Sequence, residues 1–188
     1  MLYLSVKIAC LGWGSLIWDP KKLKIKKGDW KDDGPVLPIE FNRISNDKRV
    51  TLVIDEEGTR VNVLWKLMTV NNIKDAIKSL RERENCEESG IHFIATNDDN
   101  KKHYPQKLVI LKWLKLKKLD GVVWTGLGFK NNEGEAKRMT YEYIKNHLAG
   151  LSYIEAKLAE QYVRKAPPQI RTACRERLET ELGWVPIK

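Results

Sequence analysis

The sequence predicts an α+β fold: a strand-rich body interrupted by one helix, then a helical C-terminal third. Three observations carry that expectation. Short apolar runs with two-residue alternation crowd residues 6–68, separated by clusters of Gly, Pro, Asn and Asp. Residues 71–84 switch to helical spacing, with Ile73, Ala76, Ile77 and Leu80 on one stripe. From about residue 133 onward, helical spacing and capping signals replace the strand pattern.

The elements follow in order. Val6, Ile8 and Cys10 alternate with Lys7, Ala9 and Leu11, which reads as a first strand ending in a glycine turn. Residues 19–38 are polar and rich in Pro and Gly, a long connection with at most one short helical turn. Strand-like runs then span 37–45, 50–55 and 59–68, and their tight turns imply a largely antiparallel meander. The helix over 71–84 can be capped by Asn71 or Asn72. Residues 90–96 and 121–129 read as strands. Residues 107–116 read as a strand or as a short amphipathic helix. Helices are expected over 133–149, from Ser152 to the Pro167-Pro168 pair, and over 168–182 with a stop at Gly183. Ser152 and Glu155 have the spacing of a capping box, and Ile154, Leu158, Ala159, Tyr162 and Val163 are expected to face inward.

The 188 residues suit a single domain over 1–188, with the helices of about 133–183 packed on it. Hydrophobic residues at 42% and charged residues at 31% are ordinary for a globular chain. No apolar run approaches the roughly 20 residues that span a bilayer, so no membrane partner is expected. The opening "MLYLSVKIACLGWG" is broken by Lys7 and lacks a small-residue cleavage site, so it reads as a strand and not a leader. Cys10, Cys86 and Cys174 are far apart, odd in number and without a Cys-x-x-Cys pair. That pattern fits reduced thiols in a cytoplasm and argues against a disulfide framework or zinc. The net charge of +9 invites a nucleic-acid reading. The lysines are spread, with short clusters only at 20–31 and 111–121. A solvated lysine-rich surface accounts for them, a general attraction for anionic substrates is an alternative, and nucleic acid is not the expected partner.

Two stretches stand out as chemistry. The first is "LGWGSLIWDP", residues 11–20. Ile17 stands where a dinucleotide fingerprint needs its third glycine, and Asp19-Pro20 blocks the long helix that should follow. Ser15 lacks the glycine two residues later that a nucleophile elbow requires. A tight turn remains: either a purely structural one, or a nest of backbone N–H groups sized for a carboxylate. The second is Glu84. It falls eleven residues after Ile73, almost three helical turns, and so continues the stripe of Ile77 and Leu80. Either the helix frays at Arg83 and Glu84 points into water, or the carboxylate is paired and held in a pocket.

Together these features carry a resemblance. "GWGSLIW" resembles the Tyr-Gly-Ser-Leu-Ile-Trp turn of gamma-glutamylcyclotransferase-like proteins, in particular the ChaC-type or AIG2-like branch, where the turn also follows the first strand. "LRERE", Leu80–Glu84, is similar to that branch's Leu-x-x-Arg-Glu segment at a helix end. "EFNRISNDKRVTLVI" and "GTRVNVLWKL" resemble the intervening strands, so the likeness covers about residues 6–96. The resemblance implies that family's mixed β-barrel or sheet. It implies a metal-independent enzyme without cofactor that cyclises a gamma-glutamyl amide, glutathione among them, to 5-oxoproline. Carried over, Gly14, Ser15 and Leu16, flanked by Gly12 and Trp13, would hold a small gamma-glutamyl substrate, and Glu84 would be the general acid/base. Trp13 departs from the family tyrosine: it keeps an aromatic wall and loses the hydroxyl.

Arg43, after the apolar run of the second strand, is a candidate for an anionic substrate or a surface ion pair. Trp65 and Trp124 are candidates to line a pocket or to fill the core. His92, His103 and His147 have no ligand spacing, so no metal is expected. A catalytically silent binding protein of the same fold is the alternative to an enzyme; a basic nucleic-acid-binding protein is a more distant one.

Overall fold

The computed structural model describes residues 6–96 and 102–187. The first five residues of the opening read as a strand lie outside the described residues. Among the described residues, the chain is mixed α+β, with two sheets and five helices. It divides into two compact units: Met1–Gly12, Asp19–Leu37 and Asn62–Leu127 form one, and Trp13–Trp18, Pro38–Val61 and Gly128–Lys188 form the other. Neither unit is continuous in sequence, so no linker composition marks them.

The first unit is built on β1 (Ile8–Gly12), β5 (Leu64–Leu67), β6 (Ile91–Ala95) and β7 (Gly121–Thr125) in the order β5-β1-β7-β6. β1 pairs antiparallel with β5 but parallel with β7. The sheet is therefore mixed; a parallel pair needs a long crossover, which local patterning does not reveal, whereas the meander expected over 37–68 holds for the antiparallel pair formed by residues 39–44 and 50–54. Helix α1 (Ile73–Glu84) packs on β7, β6 and β1 through Ala76, Ile77 and Leu80, all buried. Burial of a side chain such as Leu80 stabilises the fold by about 2 kcal/mol.

Residues 107–116 form helix α2 (Lys107–Leu116), which settles the alternative left by their pattern. Ile110, Trp113 and Leu114 share its buried face, whereas two-residue alternation would have buried Lys112. Trp65 and Trp113 meet edge-to-face at 5.3 Å, and Trp65 Nε1 donates to Asp33 Oδ1 at 2.7 Å. Trp124 is fully buried. Both Trp65 and Trp124 therefore serve the core.

His92 on β6 stacks on Tyr104 at 4.2 Å, and its ring lies so close to Gly126 that a Cβ there would come within 2.4 Å of ring atoms. Burial, helped by the Lys102 charge, pulls the His92 pKa from 6.5 down to about 4. The imidazole is neutral in the fold while the unfolded chain protonates below about 6.5. Its contribution is complete above pH 6.5 and is lost as pH falls through about 4. The His92→Gln variant is expected to lose melting temperature less steeply than wild type across that window. Equal slopes in thermal melts would contradict this assignment.

The second unit carries β2 (Val36–Ile44), β3 (Val50–Ile54) and β4 (Thr59–Asn62), in the order β3-β2-β4. The run 59–68 is thus two strands of different sheets and not one. The break falls at Val63, whose N–H donates to Pro35 O at 3.2 Å and whose carbonyl accepts from Gly34 N–H at 3.1 Å. The register of β2 on β3 shifts between Phe41 and Arg43, leaving Asn42 at a bulge. Its buried amide donates to Asp55 at 2.9 Å and accepts from Met139 N–H at 2.6 Å.

Helix α3 (Tyr141–Ala149) begins later than expected. Asn131 Oδ1 accepts from Glu135 N–H at 2.8 Å and Gly134 takes a positive φ of 87°, so turn chemistry outcompetes a helix over 133–140. Helix α4 (Tyr153–Lys165) has the expected capping box of Ser152 and Glu155 and ends before the prolines. It packs on β3 through Ala159, Tyr162 and Val163. Ile154, expected inward, is 71% exposed, and Leu158 is exposed too. Helix α5 (Ala173–Leu182) starts at the Thr172 cap, five residues after the predicted start, and stops at Gly183 in the left-handed conformation. Among the described residues, no helix is long and apolar enough to cross a membrane.

Candidate active site

Glu84 ends a well-formed helix. Asn72 Oδ1 accepts from Asp75 N–H at 2.9 Å at the start, and left-handed Asn85 closes the end with its N–H on Arg81 O. The helix does not fray at Arg83. The Glu84 side chain is only 16% exposed, and its Oε1 accepts from Arg83 Nη1 at 2.9 Å. Arg83 is itself 6% exposed; its Nε and Nη2 donate to the Asp19 carbonyl at 3.2 and 2.7 Å. Arg83 is thus a strut between the helix end and the segment that starts at Asp19. A guanidinium fork suits that task, because it can serve a carboxylate and a carbonyl at once.

Cys10, on β1, lies within electrostatic reach of this pair. Burial pushes its thiol pKa far above the ordinary value, the Glu84 carboxylate adds to the rise, and the Arg83 guanidinium opposes it. Cys10 is therefore a neutral thiol and not a nucleophile. β1 ends at Gly12, the last residue of the first unit before the turn.

The turn itself is a four-residue bend. Ile17 N–H donates to Gly14 O at 3.0 Å, which puts Ser15 and Leu16 at its corner. A Cβ on residue 14 would stand 2.3 Å from Tyr162 Oη, so glycine is required there by close approach. Trp13 is buried, and its Nε1 donates to Leu52 O at 3.2 Å. Its one polar group is engaged with β3. Leu16 is buried and Ser15 half-buried.

The Gly14→Ala variant is expected to lower the melting temperature by several degrees, since the tyrosine hydroxyl has to move. Adding Tyr162→Phe leaves the new Cβ about 3.3 Å from Tyr162 Cζ and should restore most of the loss. Melts of the two variants that coincide would contradict this packing.

Arg43 Nη1 donates to Gly128 O at 2.9 Å, and its backbone bridges Lys130. The guanidinium fastens the segment after β7. Two residues that sequence reasoning did not single out as functional meet at the turn's own unit. Tyr162, expected only as an inward-facing residue of α4, brings its hydroxyl to Gly14. Arg49 lays its guanidinium over the Tyr162 ring, 5.3 Å from the centroid. Arg49 Nη2 pairs with Asp47 at 2.8 Å, while its buried Nε has no hydrogen-bond partner among the described residues. No spacing signal links positions 14, 49 and 162, so only the fold brings them together.

Among the described residues, no group of three or more His, Cys, Asp or Glu side chains is placed to hold a metal ion. Comparison of the chain with family models, curated proteins and solved structures returns no match.

Proposed function

We propose that the protein is a gamma-glutamylcyclotransferase-like enzyme, with the fold of that family. It cyclises a gamma-glutamyl amide or peptide to 5-oxoproline and releases an amine. The observation that carries the reading is a shielded carboxylate, Glu84, fixed by a buried arginine beside β1, the strand that runs on into the glycine turn. The order of turn, strands and Leu80–Glu84 supports it.

The chemistry needs one such carboxylate. The substrate's α-ammonium gives a proton to Glu84, and the freed amine attacks the side-chain carbonyl carbon. A C–N bond forms and closes a five-membered tetrahedral adduct. The original amide C–N bond then breaks as Glu84 returns the first proton to the departing nitrogen, and the ring nitrogen gives up its second proton to complete the lactam, that proton leaving with the amine as its ammonium ion. The turn residues Gly12–Leu16 would hold the α-carboxylate, and so fold the substrate into a shape from which attack is short. The net charge of +9 favours the approach of an anionic substrate.

The test is a panel of gamma-glutamyl amino acids, gamma-glutamylamines and glutathione, with 5-oxoproline read by mass spectrometry. The best substrate names the leaving amine. A folded protein that forms no 5-oxoproline from any of them would favour the silent binding protein.

A further inference from the structure

We propose that the outer face of α2 docks on an anionic lipid surface. The inference goes beyond the cyclotransferase reading and does not depend on it. It also revises the expectation of no membrane partner, which rested on spanning length alone. Leu108, Lys112, Lys115 and Leu116 fall within about 100° of one another around the helix, opposite the buried Ile110 and Leu114. Leu108 is 73% exposed and Leu116 77%, although both are large and apolar.

Charge selects the occupant. No acidic residue stands between positions 102 and 119. Lys117 pairs with Asp33, but among the described residues Lys112, Lys115 and Lys118 have no ion-pair partner. Seven of the nine net positive charges fall in the first unit, to which α2 belongs. Lysines this close to a bilayer are attracted by anionic headgroups. The exposed leucines distinguish the face from a nucleic-acid surface, where phosphate contacts supply the affinity and leucine in water adds nothing. On a bilayer both residue types are used. The leucines sink to the acyl boundary, while the lysine stems lie along apolar surface and keep their ammonium groups among the headgroups. With ten residues α2 is far short of the roughly 20 that span a bilayer, so it lies along the surface.

The probes are vesicles of phosphatidylcholine alone and of phosphatidylcholine mixed with phosphatidylserine, with binding read by sedimentation at low and high salt. Wild type is expected to bind the mixed vesicles, to leave the neutral ones free, and to be released by high salt. The Lys112→Gln/Lys115→Gln variant should bind the mixed vesicles about thirtyfold more weakly. The Leu108→Ser/Leu116→Ser variant should lose at least about tenfold. All four side chains face water, so circular dichroism and melts of both variants should match wild type. Wild type that ignores the mixed vesicles, or binds both kinds equally, overturns the inference. Binding that falls with the lysines but not with the leucines overturns it too, since charge alone then accounts for it. Duplex DNA is titrated in parallel: affinity for DNA without affinity for vesicles would assign the face to nucleic acid instead. The 5-oxoproline assay should be unchanged in both variants, so failure here leaves the cyclotransferase reading standing.

Discussion

Replacement Glu84→Gln is expected to reduce 5-oxoproline formation by about 10²–10⁴-fold, the range that a positioned acid/base contributes. Glutamine keeps the shape and can still accept from Arg83 Nη1, but it cannot take and return a proton. Arg83 also keeps its two hydrogen bonds to the Asp19 carbonyl, so the helix end remains anchored. The loss of the charged partner of a 6%-exposed guanidinium should cost about 1–3 kcal/mol. In a chain of this length that is a shift of several degrees in melting temperature. Circular dichroism and a thermal melt, run beside the assay, separate lost chemistry from lost structure. Turnover near wild type would remove Glu84 from the mechanism.

The largest effect on stability is expected at Arg175. Its side chain is fully buried at the start of α5 and reaches back to the loop that leaves α4. Nη1 donates to Pro167 O and Ile170 O at 2.8 and 3.0 Å, and Nη2 donates to Ala166 O at 2.8 Å. Nε lies 3.2 Å from Glu179 Oε1. One guanidinium therefore caps three carbonyls of the segment that follows α4, of which Pro167 O also accepts from Ile170 N–H at 2.9 Å. Arg175→Met should destabilise the protein by about 3–5 kcal/mol, the range for breaking a buried charged network. At roughly 2–4 °C per kcal/mol, the melting temperature should fall by about 10 °C. Arg175→Lys should recover little, because an ammonium cannot reproduce the planar fork. A loss under about 1 kcal/mol would contradict the capping role.

The parts of this protein that were legible in its sequence are those governed by local rules. The α1 stripe, its Asn72 cap, the Ser152–Glu155 capping box and the Gly183 stop depend on residues within a few positions of one another. Glu84 was legible for the same reason: a carboxylate in phase with Ile73, Ile77 and Leu80 breaks the apolar rule of its own helix. What remained hidden depends on distant partners. Val63 divides one apolar run between two sheets because Gly34 and Pro35 claim its backbone. β1 lies parallel to β7, over a hundred positions away. Arg83 and Arg175 spend their donors on main-chain carbonyls, and carbonyls leave no mark in a sequence. The glycine at 14 announced a close approach but could not name Tyr162, the group that approaches.

The central claim is the reaction, and product analysis tests it most directly. Wild type and Glu84→Gln are incubated in parallel with gamma-glutamyl compounds, and both products are quantified by mass spectrometry. The account predicts 5-oxoproline and free amine in equal amounts from wild type, and neither above background from Glu84→Gln. Release of glutamate in place of 5-oxoproline, or equal rates from the two proteins, would contradict it.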